Sequence, residues 1–159
     1  MRYLTSVLVV LSTALWLGGL VALFVLALAV FRHSGLDRET AGRATSAMFV
    51  VFGRAQLAVG AVALIAAFLA YLPGKGRASV ALFAILALGV VGAIVFNMVI
   101  VPKMEAMRMA GESQSQTFRT WHGYSMMLLT AMTATLLVAA LVVPAICRGL
   151  LGHRSQAST

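Results

Sequence analysis

The stretch LTSVLVVLSTALWLGGLVALFVLALAVF, from Leu4 to Phe31, carries no Lys, Arg, Asp or Glu. It is longer than the ~20 residues with which a helix crosses ~30 Å of hydrocarbon. Ala44 to Leu72, Ala78 to Val101 and Thr120 to Cys147 read the same way, and Arg54 is the only formal charge inside any of these stretches. A chain written for lipid must satisfy its backbone polar groups within each crossing, which leaves helices or a closed barrel. The long, non-alternating apolar runs predict an all-α, integral membrane four-helix bundle with both termini on the same side.

Composition agrees, since 62% of the residues are hydrophobic and 10% charged, too little polar surface to wrap a water-soluble core. Helices are expected at about 4–31, 39–72, 78–101 and 113–147, followed by a tail over 148–159. The longest connection, from Pro102 to about Arg119, is too short for a separate domain, so the whole chain, 1–159, is read as one transmembrane domain. The net charge of +8 lies in short loops beside apolar spans. That placement argues against a nucleic-acid-binding face and for anionic lipid headgroups as partners. Arg2 and the small residues near Ala27-Leu28-Ala29 resemble a signal peptide, but the apolar run exceeds a usual h-region of about 7–15 residues and is retained as the first helix. Cys147 has no second cysteine to pair with.

The termini and the Pro73–Arg77 turn would share one face with Arg2, Lys75, Arg77, Arg148 and Arg154. The other face holds Arg32, Arg38, Arg43, Arg54, Lys103, Arg108 and Arg119, together with all four acids. Five basic residues against seven does not choose an orientation by the positive-inside rule. Asp37 before Arg38-Glu39-Thr40 is expected to cap the second helix, and Ser113 with Gln116 reads as a capping box for the last. Arg54 is either a snorkelling residue at the headgroup boundary or a buried charge marking a site. Ala14/Gly18/Ala22, Gly60 and Gly89/Ala93 leave flat faces that pack the bundle or a dimer. At Pro102 the missing N–H invites a bend or a new helix start.

The acid-containing face gathers a candidate polar cluster of Arg54, Asn97, Arg108, His122 and Ser125. Phe118, His122, Ser125 and Met126 form one helical stripe, from which hydrogen bonds across to Asn97 and Arg54 are expected. Such a cluster fixes helix register, or it receives a small ligand or a partner.

Trp16-Leu17-Gly18-Gly19 with Phe31, then Asn97, Pro102, Met104 and Arg108, then Phe118, His122 and Ser125, resemble the transmembrane protein 205-like family, the domain of unknown function DUF4149. The resemblance implies a small four-helix membrane protein with no established biochemical activity. The chain departs from the family pattern where a proline would stand near the end of helix 1, and where an asparagine would follow the helix 4 serine.

Seven of the nine methionines, Met98, Met104, Met107, Met109, Met126, Met127 and Met132, surround the third loop with His122 among them. Thioethers with an imidazole suit Cu(I), and the family is distantly similar to copper-resistance membrane proteins. Met104, Met107, Met126 and His122 are therefore candidate metal ligands, against the alternative that methionine is an adaptable apolar filler. Haem is a weaker candidate: of His33, His122 and His153, no two are expected on packed helices of one face. No cofactor is expected on balance. Paired carboxylates within a span, metalloprotease helix motifs and glycine-rich phosphate loops are missing from the sequence, so the expected protein is non-enzymatic. A homo-oligomer or a partner subunit remains compatible with its size, and an Arg-, Ala- and Val-rich chain without a eukaryotic address signal fits a bacterial inner membrane.

Overall fold

The computed structural model describes residues 2–72 and 76–152, with side chains over 4–72 and 76–144. The turn residues Pro73, Gly74 and Lys75 and the tail from His153 lie outside the described residues, as do the side chains of Cys147 and Arg148. Helices α1 (Arg2–His33), α2 (Arg38–Tyr71) and α3 (Arg77–Val95) are followed by a π-helical turn (Phe96–Ile100), α4 (Val101–Met109) and α5 (Gln116–Gly152). Four helical segments, Leu4–His33, Arg38–Tyr71, Arg77–Met109 and Gln116–Pro144, are long and apolar enough to cross a membrane. α1 packs on α2 and α5, and α3 packs on the same two helices, so the bundle is a square in which neighbours in sequence are neighbours in space.

Asp37 caps α2 as its sequence predicts: Oδ1 accepts from the backbone N–H of Glu39 at 2.9 Å and of Thr40 at 3.0 Å. Bonding to the Thr40 N–H and hydroxyl holds this carboxyl below its ordinary range. The expected Ser113–Gln116 box does not form. α5 begins at Gln116, and Ser115 takes the capping role, its Oγ accepting from the Phe118 N–H at 3.0 Å. A side chain two positions later reaches the free N–H groups of the first turn, which is all that capping demands.

The third span continues past its expected end at Val101. The Val101 N–H bonds back to the Phe96 carbonyl, the i to i−5 pattern of a π-turn, and Pro102 then stands in the first turn of α4. Proline has no N–H to offer, so the helix restarts there at small cost. α4 ends in a Schellman motif in which the Gly111 N–H bonds to the Arg108 carbonyl and the Glu112 N–H to the Met107 carbonyl. Gly111 has φ of 73°, a left-handed conformation that a side chain would strain.

The core runs along the bundle axis through Val9, Trp16, Leu20, Leu82, Leu86, Leu129, Leu136 and a row of alanines on α2, Ala63, Ala66, Ala67 and Ala70. Small residues on α2 let α1 and α3 approach closely, because in lipid the association rests on packing rather than on the expulsion of water. The Trp16 indole, rising from α1, ends between Gly60 of α2 and Gly89 of α3. Its Cη2 lies 2.8 Å and 3.3 Å from where a Cβ would sit on each. Gly60 and Gly89/Ala93 thus face the interior of the bundle and pack it. The Ala14/Gly18/Ala22 stripe does not, for all three are exposed on the outer face of α1.

Candidate functional site

The ends of α1 and α2, the π-turn, α4 and the start of α5 enclose a cavity of about 420 Å³ on the face carrying the first and third connections. Phe31, Phe49, Phe96, Val101, Met104 and Met126 supply apolar walls, while Arg38, Glu39, Arg108, Gln114, His122 and Ser125 supply polar groups. Its size falls within the ~300–1,000 Å³ of ordinary ligand sites.

A chain of contacts across three helices shapes the polar wall. Ser46 on α2 donates to Glu105 on α4 at 2.9 Å. The same carboxylate oxygen pairs with Arg108, one turn along α4. The Arg108 guanidinium carbon lies 5.9 Å from the centre of the Phe118 ring on α5, within cation–π range, and Phe118 stacks in parallel on His122 with ring centres 6.5 Å apart. Arg108 is only 17% exposed and Glu105 45%, so the pair is partly desolvated on the arginine side. A guanidinium fixed between a carboxylate and an aromatic face still presents donors to the cavity.

Three of the five residues of the expected polar cluster, Arg108, His122 and Ser125, line this cavity, and two do not. Arg54 is exposed on the outside of α2, as the snorkelling reading has it. Asn97 donates to the Ala93 carbonyl at 2.8 Å within its own helix. Its amide carbon lies 2.8 Å from where a Cβ would sit on Gly53. The anticipated cross-helix bonds from the α5 stripe to Asn97 and Arg54 are replaced by local ones, with Ser125 donating to the His122 carbonyl at 2.8 Å. On α2 it is Gly53, not Arg54, that faces the bundle.

Of the candidate metal ligands, Met104, Met126 and His122 share the cavity wall, while Met107 is buried at 6% exposure without lining it. His33 ends α1 in an exposed position apart from the cavity, and His153 lies outside the described residues. No group of three or more His, Cys, Asp or Glu able to hold a metal occurs among the described residues.

Sequence reasoning missed two features. Glu105 falls in the expected connection from Pro102 to about Arg119, but α4 extends over it and Ser46 donates to its carboxylate; the hint was its i, i+3 spacing to Arg108. Gln56 was passed over altogether, although it is 1% exposed and its Nε2 meets the Met132 sulfur at 4.0 Å. Gln56 Oε1, Trp16 Nε1 and Thr13 Oγ1 find no hydrogen-bond partner among the described residues. An uncharged amide inside an apolar span is the signal that could have found it.

Four apolar crossings closed around an axial core define a multi-pass membrane protein of the small helical-bundle class. The chain belongs to the DUF4149 family, a domain of unknown function, whose model matches residues 11–113. The match takes in most of α1, all of α2 through α4 and the connection to Ser113, so the cavity wall contributed by α5 lies beyond it. No curated protein and no solved structure matches the chain.

Proposed function

We propose that this protein is a non-enzymatic membrane protein of the bacterial inner membrane that binds a small amphipathic molecule carrying an anionic head. The observation that carries the reading is the loop-face cavity of about 420 Å³, whose apolar aromatic walls meet a rim bearing Arg38, Glu39, Arg108 and His122, with Arg108 also paired to Glu105. The apolar part of the ligand would lie against Phe31, Phe49 and Phe96, and the head would meet Arg108 beside His122. Anionic lipid headgroups are natural neighbours of the same basic rim.

The test is a thermal-unfolding shift of the protein in phosphatidylcholine nanodiscs on adding dodecanoate, with dodecyltrimethylammonium as the opposite-charge control. Stabilisation by the anion that disappears in Arg108→Gln, and in Ser125→Phe where a ring fills the cavity, supports the reading. Equal response to both amphipaths, or a response untouched by filling the cavity, overturns it.

A second reading is favoured by one observation: Met104, Met126 and His122 line the same wall. Two thioethers and an imidazole form a donor set suited to Cu(I). Anaerobic Cu(I) titration of the purified protein separates the readings. Stoichiometric uptake that is lost in Met104→Leu/Met126→Leu with the fold intact makes the cavity a soft-metal site, whereas no uptake by folded protein leaves the amphipath.

A further inference from the structure

The bundle core holds three buried polar atoms with no protein partner among the described residues: Thr13 Oγ1, Trp16 Nε1 and Gln56 Oε1. Their side chains are 2%, 1% and 1% exposed. Thr13 and Trp16 stand three residues apart on one face of α1, and Gln56 stands four before Gly60 on one face of α2. Trp16 itself reaches that face, its Cζ2 lying 3.2 Å from where a Gly60 Cβ would be. Thr13 and Trp16 on α1 and Gln56 on α2 thus all point into the bundle interior near the middle of their helices, with the Gln56 amide reaching Met132 of α5.

Membrane interiors offer no solvent to such groups, so their partner must be held inside the protein. Which of the two amide ends of Gln56 faces Met132 does not alter this, because the other end is left unpaired either way. The chemistry of the partner follows from counting. With Gln56 placed as it is here, the indole N–H and the threonine hydroxyl can donate, and the amide oxygen accepts. A hydroxyl has one donor and two acceptor positions, and it satisfies all three. A carboxylate or ketone has no proton for Gln56, and an ammonium has no lone pair for Trp16. The buried polar residues described are Ser6, Ser12, Thr13, Thr45, Gln56 and Ser125, none of them charged, so an ion would be unpaired there.

We propose that Thr13, Trp16 and Gln56 form a binding site for a single neutral hydroxyl, from a water molecule or from the head of an alcohol, in the interior of the bundle. The proposal is independent of the loop-face cavity, since none of the three residues lines it. The core that holds these residues is otherwise apolar, with Val9, Leu20, Ala63 and Ala93 buried completely. A polar guest is thus held by direction rather than by charge, and binding it fixes the rotation of α1 against α2.

The chain has two tryptophans, and Trp121→Phe leaves Trp16 as the sole reporter. Ultraviolet resonance Raman of the indole N–H is read in phosphatidylcholine vesicles before and after adding 1-dodecanol, with helix content checked by circular dichroism. A hydrogen-bonded indole in plain vesicles, lost in Thr13→Val/Gln56→Met, supports the site with water as its occupant. An unbonded indole that becomes bonded only with dodecanol, again lost in the double variant, supports the site with an alcohol as occupant. An indole unbonded under both conditions overturns the proposal, and so does a bond that survives in the double variant. If the double variant loses its helices, Thr13→Val alone is read by the same criteria, since it removes a donor at nearly constant volume.

Discussion

Gly53→Ala is the sharpest probe of how this bundle closes. A Cβ on Gly53 would overlap Asn97 Oδ1 and lie 2.8 Å from its Cγ. Asn97 cannot simply swing aside, because its Nδ2 donates to the Ala93 carbonyl at 2.8 Å. Overpacking of this kind costs about 1–3 kcal/mol, and losing the asparagine hydrogen bond adds about 1 kcal/mol. Against this, alanine is favoured over glycine within a helix by about 1 kcal/mol. The net expectation is destabilisation by about 1–3 kcal/mol. Gly18→Ala and Gly123→Ala supply the control: nothing lies within 4 Å of a Cβ at either position, so both should be neutral or stabilising by up to about 1 kcal/mol.

The assay is reversible unfolding in mixed micelles, titrated with dodecyl sulfate and followed by far-ultraviolet circular dichroism. Asn97→Ala removes the obstructing amide, so Gly53→Ala introduced into that background should cost nothing. The coupling between the two sites should then recover most of the single-mutant loss, within the 0.5–3 kcal/mol span typical of touching residues. Gly53→Ala as stable as Gly18→Ala, or equally costly with and without the asparagine, would refute the contact as the reason for glycine at position 53.

Further expectations follow from the same geometry. Ser46→Ala removes the hydrogen bond that joins α2 to α4 through Glu105; it should lower stability by about 1 kcal/mol or less, because Glu105 is 45% exposed and solvent screens it, while loosening α4 in amide exchange. Asp37 has a folded-state pKa held below its ordinary value by its bonds to Thr40 and Glu39. Its contribution to α2 is therefore complete above the unfolded carboxyl pKa and fades as pH falls through the folded value. Amide exchange in the first turn of α2 should accelerate under acid in the native chain, whereas Asp37→Ala should show fast exchange there already at neutral pH. Arg54→Gln should leave unfolding within about 0.5 kcal/mol of the native protein, as befits an exposed residue with no partner contact among the described residues; a loss of several kcal/mol would restore the buried-charge reading.

How much of this was legible in the sequence depends on which physical quantity each residue reports. Hydropathy over ~20 residues reports depth, and depth sufficed for four crossings, while side-chain chemistry marked the cap at Asp37 and the restart at Pro102. Rotation about each helix axis is a different quantity. In a membrane span it leaves almost no trace, because lipid-facing and core-facing positions are both apolar; Leu15 is 66% exposed and Leu20 fully buried, yet the residue type is the same. Reading a charge as the inward mark therefore turned attention to Arg54, when its neighbour Gly53 faces Asn97. The inward marks in this chain are the residues that lipid would reject without a charge to carry them to the headgroups: Thr13, the indole N–H of Trp16 and Gln56. Cationic side chains reach the interface along a flexible stem, whereas an amide or a threonine hydroxyl cannot. In a bundle of this kind the neutral polar residues consequently report the core more faithfully than the charged ones. The site at the loop face was half legible for the complementary reason: Arg108 and His122 sit at the end of the bundle, where depth and position coincide, while the turn of α4 that brings Glu105 to Ser46 depends on a π-turn that no periodicity announces.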